Sequence, residues 1–249
     1  YNAKSFHVLY PSEAEGTATL MGAECRLHNA SGSRFHIGVS SRIHLIEPPL
    51  EAGGKLTLEP LRHLGYRCET AFENLSENPM QKETGLMSIW MLGMYITGPR
   101  TYVIAPFEQS EIGRIVTDTY FSPDGLPDDR LFVNEKTGYL LFRADGKMRS
   151  KIGLSRERAA TRIASIDYAK NLLTVWRFPI RRRKPYVNSL WELQRRPYAG
   201  DAINSYNDDG NIGNFYELEC SSHALALRPG ERLCFPLDIH HFSGPLADV

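Results

Sequence analysis

Apolar and polar residues trade places with a period of two along most of this chain, the spacing of strands with one buried face, and runs with a helical period are scarce. Residues 17–29 and 33–47 are alternating or β-branched runs separated by Ala30-Ser31-Gly32. They predict a hairpin or meander, with Pro48-Pro49 closing its second arm. Residues 55–75 repeat the alternation, and 74–79 predict a turn because Asn, Ser and Pro each favour turn geometry. The most apolar block, 84–107, is broken at Gly98-Pro99. Gly93, the Ile residues and that break predict two buried strands rather than a helix. Tyr139–Arg143 and Lys147–Ile152 flank Ala144-Asp145-Gly146 and predict a hairpin. The clearest helix candidate is short, 155–164, with Ser155 as its N-cap. Residues 171–180 predict a strand ending at Pro179.

Many short strands, turns rich in Gly, Pro and Asn, and few short helices predict an all-β fold. With 249 residues and no repeat or linker, the expectation is one domain over 1–249. That length exceeds a simple immunoglobulin-like sandwich and fits a large two-sheet antiparallel sandwich.

Candidate chemistry concentrates in 186–231. Phe215–Ser222 predicts a strand with Phe215, Glu217, Glu219 and Ser221 on one face and Tyr216, Leu218 and Cys220 on the other. The second set is apolar enough to be core, so the two carboxylates face away from it, their backbones about 6.6 Å apart. Like charges this close resist joint ionisation, which raises one pKa and makes a usable general acid or base. A solvated face with each Glu paired to an Arg is the bland alternative. Tyr186–Gln194 predicts a second strand with Asn188, Glu192 and Gln194 on one face and Trp191 opposite, where it reads as core. Glu192 and Gln194 beside Glu217 and Glu219 would both donate and accept hydrogen bonds, which suits a hydroxyl-rich ligand. Asn207–Asn211 predicts a tight turn. It lacks the spacing and distal Glu of a calcium loop. Arg181–Lys184 predicts a solvated turn, with grip on an anion as the alternative.

Composition narrows the classes. Formal net charge is zero, which argues against a sequence-independent nucleic-acid binder. No stretch approaches the ~18–20 consecutive apolar residues of a membrane span. Cys25, Cys68, Cys220 and Cys234 have no metal-type spacing, and Cys220 and Cys234 are expected as buried thiols. The eight histidines offer no paired metal motif, and no P-loop, nucleophile elbow or dinucleotide fingerprint occurs, so no metal and no cofactor are expected. The opening at Tyr1 predicts a processed or trimmed chain. A periplasmic or secreted location is favoured over a cytoplasmic one.

The run 186–210, then 215–231, together with 83–94, 102–107 and 151–159, resembles an uncharacterised bacterial family of the galactose-mutarotase-like (aldose 1-epimerase-like) superfamily. The resemblance spans roughly 17–245 and implies a β-supersandwich that binds carbohydrate. Mutarotases are similar in ending on a Leu-Glu strand followed by a Leu-x-Pro-Gly-Glu turn. Leu218-Glu219 and Leu227–Glu231 stand in those places, which implies Glu219 as the base that takes the anomeric proton. The departure is the acid. Ile89-Trp90 falls near the position where mutarotases carry a histidine, and no His lies between His63 and His223. The resemblance therefore implies a concave face carrying Glu192, Gln194, Asn207, Asp208, Glu217 and Glu219, with Trp90 beside it. Three functions are compatible: a sugar-binding protein, a sugar-active enzyme with Glu219 as base and Glu217 or His241 as acid, or a non-catalytic assembly protein.

Overall fold

The computed structural model describes residues 7–11, 18–48, 60–190 and 193–245, with the backbone path alone at 7–11 and Ala18. Fourteen strands build two antiparallel sheets. The first four, β1 (His7–Pro11), β2 (Ala18–His28), β3 (Arg34–Leu45) and β4 (Arg62–Asn74), form a meander in chain order. The hairpin expected over 17–47 is β2–β3, turning where Gly32 takes φ 83°. β5 (Trp90–Ile96) then leaves for the second sheet and β6 (Thr101–Pro106) returns. β7 (Leu131–Asn134), β8 (Tyr139–Arg143), β9 (Ser150–Ser155), β10 (Arg162–Asp167), β11 (Leu172–Arg177), β12 (Asp201–Asn207), β13 (Phe215–Ser221) and β14 (Arg232–Ser243) complete the set. The large sheet runs β1-β2-β3-β4-β14-β11-β10-β6-β8-β7, and the small one β5-β13-β12-β9.

The apolar faces of both sheets meet in one core. Leu218 and Cys220 of β13, Ile203 of β12, and Ile152 and Leu154 of β9 enter it from the small sheet. Trp176, Ile163, Val103, Phe142, Leu237 and Ile239 enter it from the large one. Gly93 of β5 marks the tightest approach, since a Cβ there would lie 2.4 Å from Trp176 Cζ2.

Five local expectations are corrected. Residues 155–164 form a single turn, closed by the Arg158 and Ala159 amides on the Ser155 carbonyl, before β10 begins at Arg162. No α-helix occurs among the described residues, so the few short helices expected are not found there. The hairpin expected about Ala144-Asp145-Gly146 is a crossing between sheets: β8 pairs with β6 and β7, β9 with β12. Asp145 is buried there between Arg130 (2.8 Å) and Arg143 (3.0 Å), ion pairs that claim its carboxylate at the β7–β8 edge of the large sheet. Of the strand expected over Tyr186–Gln194, the described residues 186–190 and 193–194 are irregular, pairing only through an isolated parallel bridge from the buried Tyr186 to Ala199. Finally, β5 is buried on one side only. Cys220 is a buried thiol as expected, Cys234 is exposed, and all four cysteines are free. No described helix is long and apolar enough to cross a membrane.

Gly93→Ala should cost about 1–3 kcal/mol by overpacking against the Trp176 ring. Urea unfolding followed by tryptophan fluorescence measures it, and an unchanged midpoint would refute this packing.

Candidate functional site

Registry decides which side chains share the outer face of the small sheet. Directly opposed residues of an antiparallel pair project to the same side. Glu219 lies opposite Asn204 on β12 and Leu92 on β5, and Glu217 lies opposite Tyr206 and Met94. Asn204 and Tyr206 in turn face Gly153 and Lys151 of β9. The outer face therefore carries Trp90, Leu92, Met94 and Ile96, then Glu217 and Glu219, then Asn204 and Tyr206, then Lys151. The β5 residues are its exposed part: Trp90 37%, Leu92 38%, Met94 57% and Ile96 70% accessible.

At the centre sits a buried ion pair. Lys151 Nζ donates to Glu219 Oε2 at 3.0 Å, and Trp90 Nε1 donates to the same oxygen at 2.9 Å. The Glu219 side chain is fully buried and that of Lys151 nearly so. A lone charge in such a position is prohibitively costly, so each requires the other. The ammonium also lies 5.4 Å from the Trp90 ring centroid and 5.5 Å from that of Tyr120, within cation–π range of both. Glu219 Oε1 is buried with no hydrogen-bond partner among the described residues.

Glu217 is half-buried beside this pair. Burial first, and the Glu219 charge second, push its pKa up to about 7, while Lys151 pulls it back. A carboxyl in that state carries a proton on about half the molecules at neutral pH. A second raised carboxyl closes the other end of the face. Burial lifts Asp201 to about 6, opposed by hydrogen bonds from Tyr120 and Thr117 and by the Lys151 charge. Tyr120 donates its hydroxyl to Asp201 Oδ2 at 2.6 Å and accepts from Asn204 Nδ2 at 2.9 Å. Burial raises the Tyr120 phenol well above its usual range, which keeps it a donor. Only glycine fits at position 153, where a Cβ would meet Asp201 Oδ2 at 2.0 Å and Asn204 Nδ2 at 2.7 Å.

The other expected site residues fall elsewhere. Asn207 projects to the inner face, fully buried, accepting from the Gly146 amide and donating to the Met148 carbonyl. Its amide is spent on the β8–β9 crossing rather than on a ligand. Asp208 is also buried. Its Oδ1 accepts the Gly210, Ile212 and Gly213 amides and its Oδ2 the Tyr206 hydroxyl. Burial pushes this carboxyl up, but those donors outweigh it and hold the pKa below the usual carboxylate range. Asp208 thus caps the 208–213 turn, as the tight-turn reading of 207–211 expects. Gln194 Nε2 donates to the Asn188 and Leu190 carbonyls and closes its own loop. Glu192 and Trp191 lie outside the described residues. His241 projects to the inner face, bonded to Thr174 Oγ1 at 3.0 Å, so it cannot reach the Glu217 side of the sheet. No described imidazole is hydrogen-bonded to Glu217, Glu219 or Asp201. Arg182 of the basic run is tied to the Arg156 and Ala159 carbonyls and to Glu108.

Lys151, Tyr120, Asn204 and Asp201 are absent from the site expected from sequence. Lys151 had a signal: it is the lone charge in Ser150–Leu154, a run in which every residue is buried, and such a charge implies a buried partner. Tyr120 and Asp201 had none, because their contact joins residues 81 positions apart through an ordinary-looking loop.

The fold is that of the galactose mutarotase-like β-supersandwich. A candidate aldose 1-epimerase from Escherichia coli K12 superposes with a TM-score of 0.52 at 10% identity, over 96% of this chain and 68% of that one. A galactose mutarotase-like protein from Lactobacillus casei ATCC 334 gives 0.51 at 11% identity, over 95% and 72%. A galactose mutarotase related enzyme from Lactobacillus acidophilus gives 0.50 at 8%, over 96% and 71%. Such distant likenesses establish the fold alone. Among curated proteins, none matches by sequence. Residues 2–249 match the profile of a family of unknown function, DUF6786, and the chain belongs to that family.

The raised Glu217 carboxyl has a thermodynamic signature. Between its unfolded value of 4.5 and about 7 the folded chain holds a proton that the unfolded chain releases. This group's contribution to stability is therefore largest at low pH and is lost as pH rises through that window. Glu217→Gln should remove that part of the pH dependence, so that the variant gains on the native protein between pH 4.5 and 7. Parallel profiles of the thermal midpoint for the two proteins would contradict the assignment.

Proposed function

We propose that the outer face of the four-stranded sheet binds carbohydrate, with Glu217 as the carboxyl that meets the ligand and the exposed Trp90 indole as the platform beneath a sugar ring. One observation carries this reading: a half-buried carboxyl raised to about 7 lies on the same face as a solvent-exposed aromatic ring fixed by its own hydrogen bond. A carboxyl shifting between donor and acceptor matches hydroxyl groups, which do both. An indole covers the apolar face of a pyranose. Support also comes from the mutarotase-like fold of the structural neighbours. Lys151 and Glu219 act beneath the surface, holding Trp90 and setting the Glu217 proton.

A second reading makes the pair catalytic: Glu219 Oε1 is buried without a hydrogen-bond partner among the described residues and would act once the ligand opens a path to it. In an aldose 1-epimerase reaction that oxygen takes the proton of the anomeric hydroxyl. The freed electron pair forms the carbonyl, the bond from anomeric carbon to ring oxygen breaks, and Glu217 delivers its proton to the ring oxygen. Reclosure on the other carbonyl face returns both protons and gives the other anomer. Glu217 then fills the place left by the missing histidine.

Isothermal titration against a panel of neutral and acidic mono- and oligosaccharides tests the binding reading. Saturable binding is expected, weakened at least tenfold by Trp90→Ala. No binding across the panel would overturn it. Polarimetry with fresh α-glucose and α-galactose separates the readings: acceleration abolished by Glu219→Gln makes the site catalytic, and binding without acceleration makes it a binding site alone.

A further inference from the structure

We propose that the carbohydrate is an oligosaccharide, and that a second subsite on the far side of Tyr120 holds its next unit. This rests on the carbohydrate reading of the Glu217 face and extends it.

A depression of about 350 Å³ opens beside the start of β12, lined by Thr117, Thr119, Tyr120, Asn188, Leu190 and Asp201, with the Ala199-Gly200 backbone at its edge. That volume lies at the lower end of small-molecule sites and suits one sugar ring rather than a large cofactor. Its lining mixes hydroxyl, amide and carboxyl groups with apolar carbon in nearly equal measure, which matches a sugar ring, since that presents both. Asp201 is more than nine-tenths buried yet contributes to the wall. Its pKa of about 6 leaves it able to accept or donate near neutrality. Position 153 is held as glycine so that Asp201 and Asn204 can occupy this end of the face.

The depression adjoins the Glu217 face at Tyr120. The Tyr120 ring borders the Lys151 ammonium on one side, while its hydroxyl binds Asp201 and Asn204. Glu217 stands across from Tyr206, five residues along β12 from Asp201, about 13 Å at strand rise once the bulge between Asp201 and Ile203 is discounted. A single hexose cannot touch both ends. Two linked rings can, the first over Trp90 and Glu217, the second against Thr119, Asn188 and Asp201, with the Tyr120 edge under the glycosidic link.

The test is affinity against chain length. Titration calorimetry is run with glucose, maltose and maltotriose, with galactose and its β-1,4-linked di- and trisaccharides, and with any monosaccharide bound in the panel together with its own oligomers. At least a tenfold gain is expected on passing from the monosaccharide to its disaccharide. Thr119→Trp places an indole in the depression from an exposed position, and Asn188→Ala removes an amide from its wall. Both should abolish the gain and leave the monosaccharide affinity unchanged; Thr119→Trp should also leave the thermal midpoint unchanged, whereas Asn188→Ala also loses the bond from the Leu190 amide. Equal affinity for mono- and disaccharide, or a gain that survives Thr119→Trp, would overturn the second subsite while leaving the Glu217 face as a sugar site. Failure of every sugar would overturn both, and only a length-dependent gain lost in the variants supports this proposal.

Discussion

The site depends on two charges hidden in a wall of apolar strands. Lys151 on β9 and Glu219 on β13 are separated by the width of β12, and their 3.0 Å contact ties the far strands of the small sheet across it. Neither charge is tolerable alone in that setting. The pair also fixes what surrounds it. Trp90 is held at the start of the edge strand by the oxygen that Lys151 binds, and the Tyr120 ring borders the ammonium while its hydroxyl is tied to Asp201 and Asn204.

Electrostatic consequences follow outward from that contact. Burial of Glu217 first, and second the carboxylate kept in a dry site two residues along the strand, oppose a negative charge there and hold its proton to about pH 7. Asp201 is raised by its own burial and restrained by Tyr120 and by the Lys151 charge. Two carboxyls poised near neutrality, one at each end of a single face, are an arrangement that structural needs alone do not require. Asp208 shows the contrast. It is as buried as Glu219, yet its oxygens are consumed by turn amides and its pKa is held low.

The alternation of β2, β3, β4 and β13 is legible in sequence as period-two runs, although in β13 Glu219 and Ser221 bury much of the second face as well. That same pattern placed Glu217 and Glu219 on one side of β13. It could not tell which of the two would be swallowed, since the depth of each depends on Lys151 and Trp90 from strands far away in the chain. The alternation misled where local signals met tertiary ones. Ala144-Asp145-Gly146 has the composition of a tight turn, but Arg130 and Arg143 claim Asp145 and send the chain to the other sheet. Tyr186–Gln194 alternates without finding a strand partner, and Asn188 and Gln194 bond within the segment instead. Asn207 looked available for a ligand because it adjoins a turn. Its place one residue beyond Tyr206 on β12 points it inward.

A double-mutant cycle on Lys151 and Glu219 tests this account most directly, using urea unfolding at pH 7 of Lys151→Met, Glu219→Gln and the combined variant. Lys151→Met should cost about 3–5 kcal/mol, because it strands a buried carboxylate. The combined variant should recover most of that loss, giving a large coupling between the two positions. Additive losses, or a Lys151→Met protein as stable as the native chain, would mean that the ion pair does not organise this face.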